Sequence, residues 1–317
     1  MEACHSQEQF NITSYDATAV AIVTLEAFAG MWINAFIVSV ICMAWVKKKT
    51  LNSNEKILLL LGCSRFWYLC ISWVYFFLSI IYPHFLYVQP TLQLVASIQS
   101  FLSYSSLWFS ACLCVFYCIK IANFRNSFFI YLKVKIDRMV PWLLLGSVLF
   151  SLVIGIIVYD IANKPHCNNR NSTGRGNFWK ASIKMDKHFF PSFFIAGFGY
   201  AVSFMAVTFS ALLLLFSLWK HKHNMQTNSV KDLSMDAHIK AMKSILSFFV
   251  MYSINFASLI LTLVYATRKG SPVTFLILVF QYAFPGAHSL ILIFGNPKLE
   301  KTLLRILLSV TFKACMR

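Results

Sequence analysis

Acid is what this chain has least of. Its 317 residues hold 11 Asp and Glu against 28 Lys and Arg, and only 12% of positions carry a charge, where about 25% is usual for a soluble domain. So few charges exclude an ordinary water-soluble surface. The net charge of +17 does not point to nucleic acid, because the cations lie in short stretches between apolar blocks instead of forming one patch. Lys and Arg held on one face of a bilayer bearing anionic lipid account for the same imbalance.

Further absences narrow the reading. Of nine cysteines, Cys42, Cys63, Cys70, Cys112, Cys114 and Cys118 lie inside apolar blocks, where cysteine behaves as a small hydrophobe. Cys315 is in the tail. Only Cys4 and Cys167 fall in segments placed outside, and the sequence leaves open whether they pair. No spacing suits zinc, so no metal is expected. There is no G-x-S-x-G, H-E-x-x-H, P-loop or dinucleotide fingerprint, which argues against an enzyme and implies no cofactor. Residues up to about Asp16 are polar and free of Lys and Arg, and the first apolar block is too long for a signal core, so it is expected to act as its own insertion signal. Repeated halves with Gly- or Pro-broken spans, the mark of many transporters, are missing.

What the chain has in abundance is apolar length. Hydrophobic residues make up 58% of it, in blocks too long for strands. Seven blocks of spanning length fall near 18–46, 55–82, 90–119, 139–160, 190–218, 240–266 and 273–294. The division between the second and third rests on IYPHFLYVQP, whose two prolines favour a turn. The expected fold is therefore an all-α membrane protein, a single bundle of seven transmembrane helices. Segment 1–17 is expected outside and the tail 295–317 inside, the latter as a short amphipathic cytoplasmic helix.

Orientation follows from the cations. Nineteen of the 28 Lys and Arg flank the odd-numbered span ends, among them Lys47, Lys48, Lys49, Lys120, Arg125, Lys133, Lys135 and Lys220, while eight lie on the other side. The positive-inside rule then puts the N-terminus outside. The sequons Asn11-Ile12-Thr13 and Asn171-Ser172-Thr173 both fall in segments placed outside, which agrees with that topology and makes Asn11 and Asn171 candidate glycosylation sites. Stretch 107–136 marks the exit most clearly: LWFSACLCVFYC can lie in lipid, whereas Lys120, Arg125, Lys133 and Lys135 read as a basic, water-facing loop. The tail alternates Lys298, Lys301 and Arg305 with Leu299, Leu303, Leu304 and Leu307, as a helix lying along the inner leaflet would.

Ionisable groups inside spans are costly and so point to function or structure. Arg65 lies near mid-depth of the second span and needs acceptors. Asn34 and Ser289 reach the same layer, so the three are expected to form an intramembrane polar network, serving either as a packing lock or as a moving switch. Glu26 sits nearer the outer end of the first span with no assigned role. His288 reads as a packing residue. An odd span count with a basic inner face suits a receptor that passes a conformational change inward.

The motifs are more specific. Gly30, Asn34, Phe36 and Ile37; Leu59, Leu60, Ser64 and Arg65; Leu107-Trp108 with VFYCIKIANF at 115–124, Phe129, Leu132 and Lys133; LLLLFSLWKH at 212–221 with Met225-Gln226; His238, Ala241, Lys243, Ser247 and Phe248; and Pro285, His288-Ser289, LILIFGN and Lys298-Leu299 make the chain resemble the type 2 bitter taste receptors, seven-helix G-protein-coupled receptors, along nearly its whole length. The KIANF, LWKH and HSLILIFGN runs count against the alternative, a vomeronasal type 1 pheromone receptor. A small transporter or channel is the alternative from another class. The resemblance implies a plasma-membrane receptor that binds small bitter compounds from outside and activates a heterotrimeric G protein of the gustducin type. It implies a ligand pocket at Gln99, Ser100, Ser103, Asn255, Leu259, Leu278 and Tyr282, and a coupling face at Lys120, Arg125, Lys220 and His221. Leu278 stands where some members carry an acid, and Gln99 and Asn255 bring amides, so the pocket is expected to favour neutral hydrogen-bonding ligands. Ser203-Phe204 stands where the family usually has Pro-Phe, which puts a kink there in doubt.

Overall fold

The computed structural model describes residues 14–81, 91–122, 126–163, 189–227, 246–258, 260–261 and 272–315. They form α1 (Ser14–Lys48), α2 (Ser53–Ile81), α3 (Thr91–Ile121), α4 (Ser127–Asn163), α5 (Phe189–Thr227), α6 (Leu246–Ser258), α7 (Pro272–Gly295) and α8 (Pro297–Cys315). No strand occurs among the described residues. Six helices, α1 to α5 and α7, are long and apolar enough to cross a bilayer, and α6 is a shorter apolar helix. Their exposed faces are apolar too: Trp142, Leu145, Leu149 and Ile156 on α4 and Met205, Phe209 and Phe216 on α5 are about half exposed or more, as a lipid-facing surface requires.

The helix boundaries have local causes. α1 ends where Lys49 takes a left-handed φ of 55° and its N–H bonds the Trp45 carbonyl at 2.7 Å. α2 starts on half of a capping box: Glu55 reaches back to accept from the Asn52 N–H at 3.1 Å, while Asn52 O accepts the first helical bond from Lys56 N. α8 starts on Asn296, whose Oδ1 accepts from Lys298 N at 3.0 Å, with Pro297 at the first helical position.

The helices pack around α3, the most buried of the long ones. Leu113, Leu107, Phe109 and Phe116 of α3 join Ile37 and Ile41 of α1, Ile57, Leu58 and Leu61 of α2, Val207 of α5 and Ile293 of α7 in one core. Two close approaches set the α1–α7 and α3–α4 spacing. A Cβ on Gly286 would lie 3.1 Å from the Gly30 Cα, and Ser97 Oγ of α3 donates to Gly155 O of α4 at 2.7 Å.

α4 departs from expectation. It begins at Ser127, so Lys133 and Lys135 are helical rather than part of a loop. Nothing between Ser127 and Pro141 breaks the helix, and Leu132, Ile136 and Val140 give it a buried face. Pro141 removes the hydrogen bond to the carbonyl four residues back. That carbonyl, Asp137 O, instead accepts Ser53 Oγ of α2 at 3.5 Å. α5 likewise runs unbroken through Ser203.

Candidate functional site

Mid-bundle, Arg65 of α2 is 1% exposed. A guanidinium stays charged in any protein, so its burial demands acceptors on every side. Nε donates to Ser106 Oγ at 3.2 Å and Nη2 to Ser110 Oγ at 3.0 Å, both on α3. Nη1 donates to Ser289 Oγ of α7 at 2.9 Å, and Ser289 in turn donates to Asn34 Oδ1 of α1 at 2.8 Å. Nη2 also bonds His288 Nδ1. Because the guanidinium can only donate, Nδ1 is the acceptor and the His288 proton sits on Nε2. That Nε2 is buried with no partner, and the ring packs against Phe248 and Phe284 at 4.4 and 5.4 Å between centroids. Phe284 also lies 5.9 Å beneath the Arg65 Cζ. No carboxylate pairs with Arg65 among the described residues. Asn34, Arg65 and Ser289 thus meet, and one cation joins α1, α2, α3 and α7.

Toward the Ser14 end of the bundle, two of the residues placed in the pocket converge on Ser72 of α2. Gln99 Nε2 donates to Ser72 Oγ at 3.2 Å, and Tyr282 OH donates to Ser72 O at 2.9 Å. Leu278 packs against a cluster of Val23, Ala27, Leu69 and Tyr282. Ser100, Ser103 and Asn255 are half-buried, and Leu259 lies outside the described residues. Glu26 holds one carboxylate oxygen buried without a partner. Deeper in, Tyr252 of α6 places its hydroxyl 3.4 Å from Leu107 O of α3 and from Ser203 Oγ of α5. Phe204 stacks on Phe256 at 4.2 Å.

At the Lys48 end, Lys120 of α3 pairs with Asp137 of α4 at 2.5 Å, and Lys298 of α8 pairs with Glu55 of α2 at the same distance. A cavity of about 140 Å³ opens beside the second pair, floored by Ile41, Leu58 and Leu299. Lys220 is exposed. Arg125, Asn11, Asn171, Cys4, Cys167 and the His221 side chain lie outside the described residues. No cluster of potential metal ligands occurs among those described.

Reading the residues one at a time missed Ser106, Ser110 and Ser72, and took His288 for a packing residue without its bond to Arg65. A signal did exist for α3. Ser103, Ser106 and Ser110 recur at helical spacing and so share one face.

Long apolar helices, a lipid-compatible exterior and a buried polar junction define a multi-pass helical membrane protein. Comparison with known sequences identifies which one. The family model described as taste receptor protein (TAS2R) matches residues 12–311. Human taste receptor type 2 member 2 is 32% identical over 91% of this chain and 95% of its own length. Member 9 of Papio hamadryas is 30% identical over 93% and 94%, and member 7 of Macaca mulatta 32% over 90% and 91%. The chain belongs to the TAS2R family of taste receptors, which are not enzymes.

Proposed function

We propose that this receptor spans the plasma membrane seven times with its N-terminus outside, the described part of α6 belonging to the sixth span. Small bitter compounds bind in the outer half of the bundle, among Gln99, Ser100, Ser103, Asn255, Leu259, Leu278 and Tyr282. A gustducin-type heterotrimeric G protein is activated at the Lys48 end, where Lys120, Arg125, Lys220 and His221 form the coupling face. Asn11 and Asn171 carry N-glycans on the outer segments. The observation that carries this reading is the family match across nearly the entire chain. The Ser72 convergence supports the placement of the pocket, since it gives α2, α3 and α7 a shared polar layer that a ligand can bias. Activation is a population shift between helix arrangements of different ligand affinity.

A calcium-mobilisation screen in cells co-expressing a promiscuous taste-type G protein tests the reading. At least one bitter compound should trigger a response that mock cells lack, from receptor whose gel mobility shifts on glycan removal. Silence across a broad bitter library, with receptor present at the surface, would overturn the assignment of ligand class.

Lys120→Glu should depress agonist-driven signalling several-fold while surface delivery stays normal. The Lys120–Asp137 pair is largely exposed, so breaking it costs at most about 1 kcal/mol of stability. The exchange Lys120→Asp with Asp137→Lys separates the two roles of Lys120. Recovery of signalling would assign the effect to the α3–α4 tie, and continued loss to the coupling face. Normal signalling by Lys120→Glu itself would remove the residue from that face.

A further inference from the structure

The first turns of α4 carry a surface that receptor signalling does not explain. At about 1.5 Å per residue its 37 residues reach roughly 55 Å, well beyond the hydrocarbon layer of about 30 Å. The overshoot lies at the Lys48 end, because Asp137 is tied there to Lys120 and to Ser53. Ile136 and Val140 face the bundle, 1% and 2% exposed. The opposite face carries Tyr131, Val134, Lys135 and Arg138 at spacings of three and four, hence in one stripe. Tyr131 is 54% and Val134 78% exposed, and both cations are exposed. Lys135 folds back on Tyr131, its Nζ 2.6 Å from the hydroxyl and 4.3 Å from the ring centre. The one acid in 127–138 is Asp137, already engaged by Lys120.

We propose that this stripe is a docking site for anionic phospholipid headgroups of the leaflet at the Lys48 end. Lys135 and Arg138, which lie nearer the hydrocarbon than Tyr131 and Val134 because α4 enters the bilayer after Asp137, bind the phosphates. Charge complementarity selects the occupant. Two cations with no free acid nearby attract an anionic surface at about 1 kcal/mol each, and their apolar stems can lie along the helix while the charged heads reach the phosphates. A lipid there would draw Lys135 off Tyr131 and hold α4, and through Asp137 the end of α3, at a fixed depth. The site rests on the membrane reading but not on the agonist or on which leaflet is cytoplasmic.

The test uses full-length receptor in phosphatidylcholine nanodiscs with and without phosphatidylserine, which present both faces of the protein. Retained phosphatidylserine is counted by native mass spectrometry. Wild type should retain it. Lys135→Gln with Arg138→Gln should weaken retention roughly thirtyfold, at about fivefold per cation, and added salt should narrow that gap. Both changed cations are exposed, so a matching thermal melt shows that the fold survives. An equal loss from Lys47→Gln with Lys48→Gln would make the attraction diffuse and overturn the site. So would unchanged lipid retention accompanied by weaker G-protein binding in phosphatidylcholine alone, which would make the stripe a protein interface.

Discussion

Arg65→Met should nearly abolish folded receptor at the cell surface and, in detergent-purified material, lower the thermal unfolding midpoint more than any other single change discussed here. The substitution keeps an unbranched apolar stem of similar reach but removes the donors that serve Ser106, Ser110, Ser289 and His288. The hydroxyls keep local partners: Ser110 still donates to Ser106 O at 2.8 Å and Ser289 to Asn34. His288 does not, and both of its ring nitrogens would then be buried and unpaired. No bare charge is left behind, but hydrogen bonds to a charged group, about 1.5–3 kcal/mol each, are forfeited and His288 is left unsatisfied at about 1–3 kcal/mol, against a total stability of roughly 5–15 kcal/mol for a typical fold. Arg65→Lys should fall between, because an ammonium cannot reproduce the planar fork that reaches α3 and α7 together. Ser289→Ala removes one acceptor and should cost about 1–3 kcal/mol. Combining it with Arg65→Met should add little further, since contacting residues are not additive. An Arg65→Met melt within a degree or so of wild type would show that the junction is not what holds the four helices.

These residues also show where sequence reading succeeds. Arg65 stood out because a cation in an apolar span has no cheap alternative to being paired, and Asn34 and Ser289 followed from depth alone. Serine carries no such penalty, so Ser106 and Ser110 offered only their shared helical spacing until the Arg65 fork pointed at them. His288 was legible as a packing residue but not as the acceptor that completes the fork. The positive-inside count assigned Lys133 and Lys135 to a loop because charge marks the edge of lipid. A helix continues past that edge wherever one face stays apolar, and the carbonyl freed by Pro141 finds Ser53 from another helix, a partner no local pattern could supply. The acid that pairs with Lys120 lies 17 residues on, on another helix, so that pairing depends on the packing of α3 on α4. At the Ser14 end the amides of Gln99 and Asn255 were readable as types, but the meeting of Gln99 and Tyr282 on Ser72 depends on three helices at once.

Gly286→Ala tests the other contact that holds α1 to α7, and the two glycines at that contact should not respond alike. A Cβ on Gly30 would come within 2.7 Å of Leu69 Cδ1, the far end of a flexible side chain, and otherwise no nearer than 3.6 Å to backbone. Leu69 can change rotamer, so Gly30→Ala should cost about 1 kcal/mol or less. A Cβ on Gly286 meets the Gly30 Cα at 3.1 Å, and backbone yields only if one helix moves. Overpacking of that kind costs about 1–3 kcal/mol. Displacement of α7 would also pull Ser289, one turn away, from Arg65 and Asn34, so the two effects should compound. Gly286→Ala should therefore lower the melting temperature clearly more than Gly30→Ala, and Gly286→Leu should leave little folded receptor. Adding Ser289→Ala to Gly286→Ala should cost less than in wild type, because the strained helix has already weakened that bond. Equal melts for the two alanine variants would mean that α1 and α7 slide apart freely, so that the glycine contact contributes no rigidity to the helix pair on which the Arg65 junction is built.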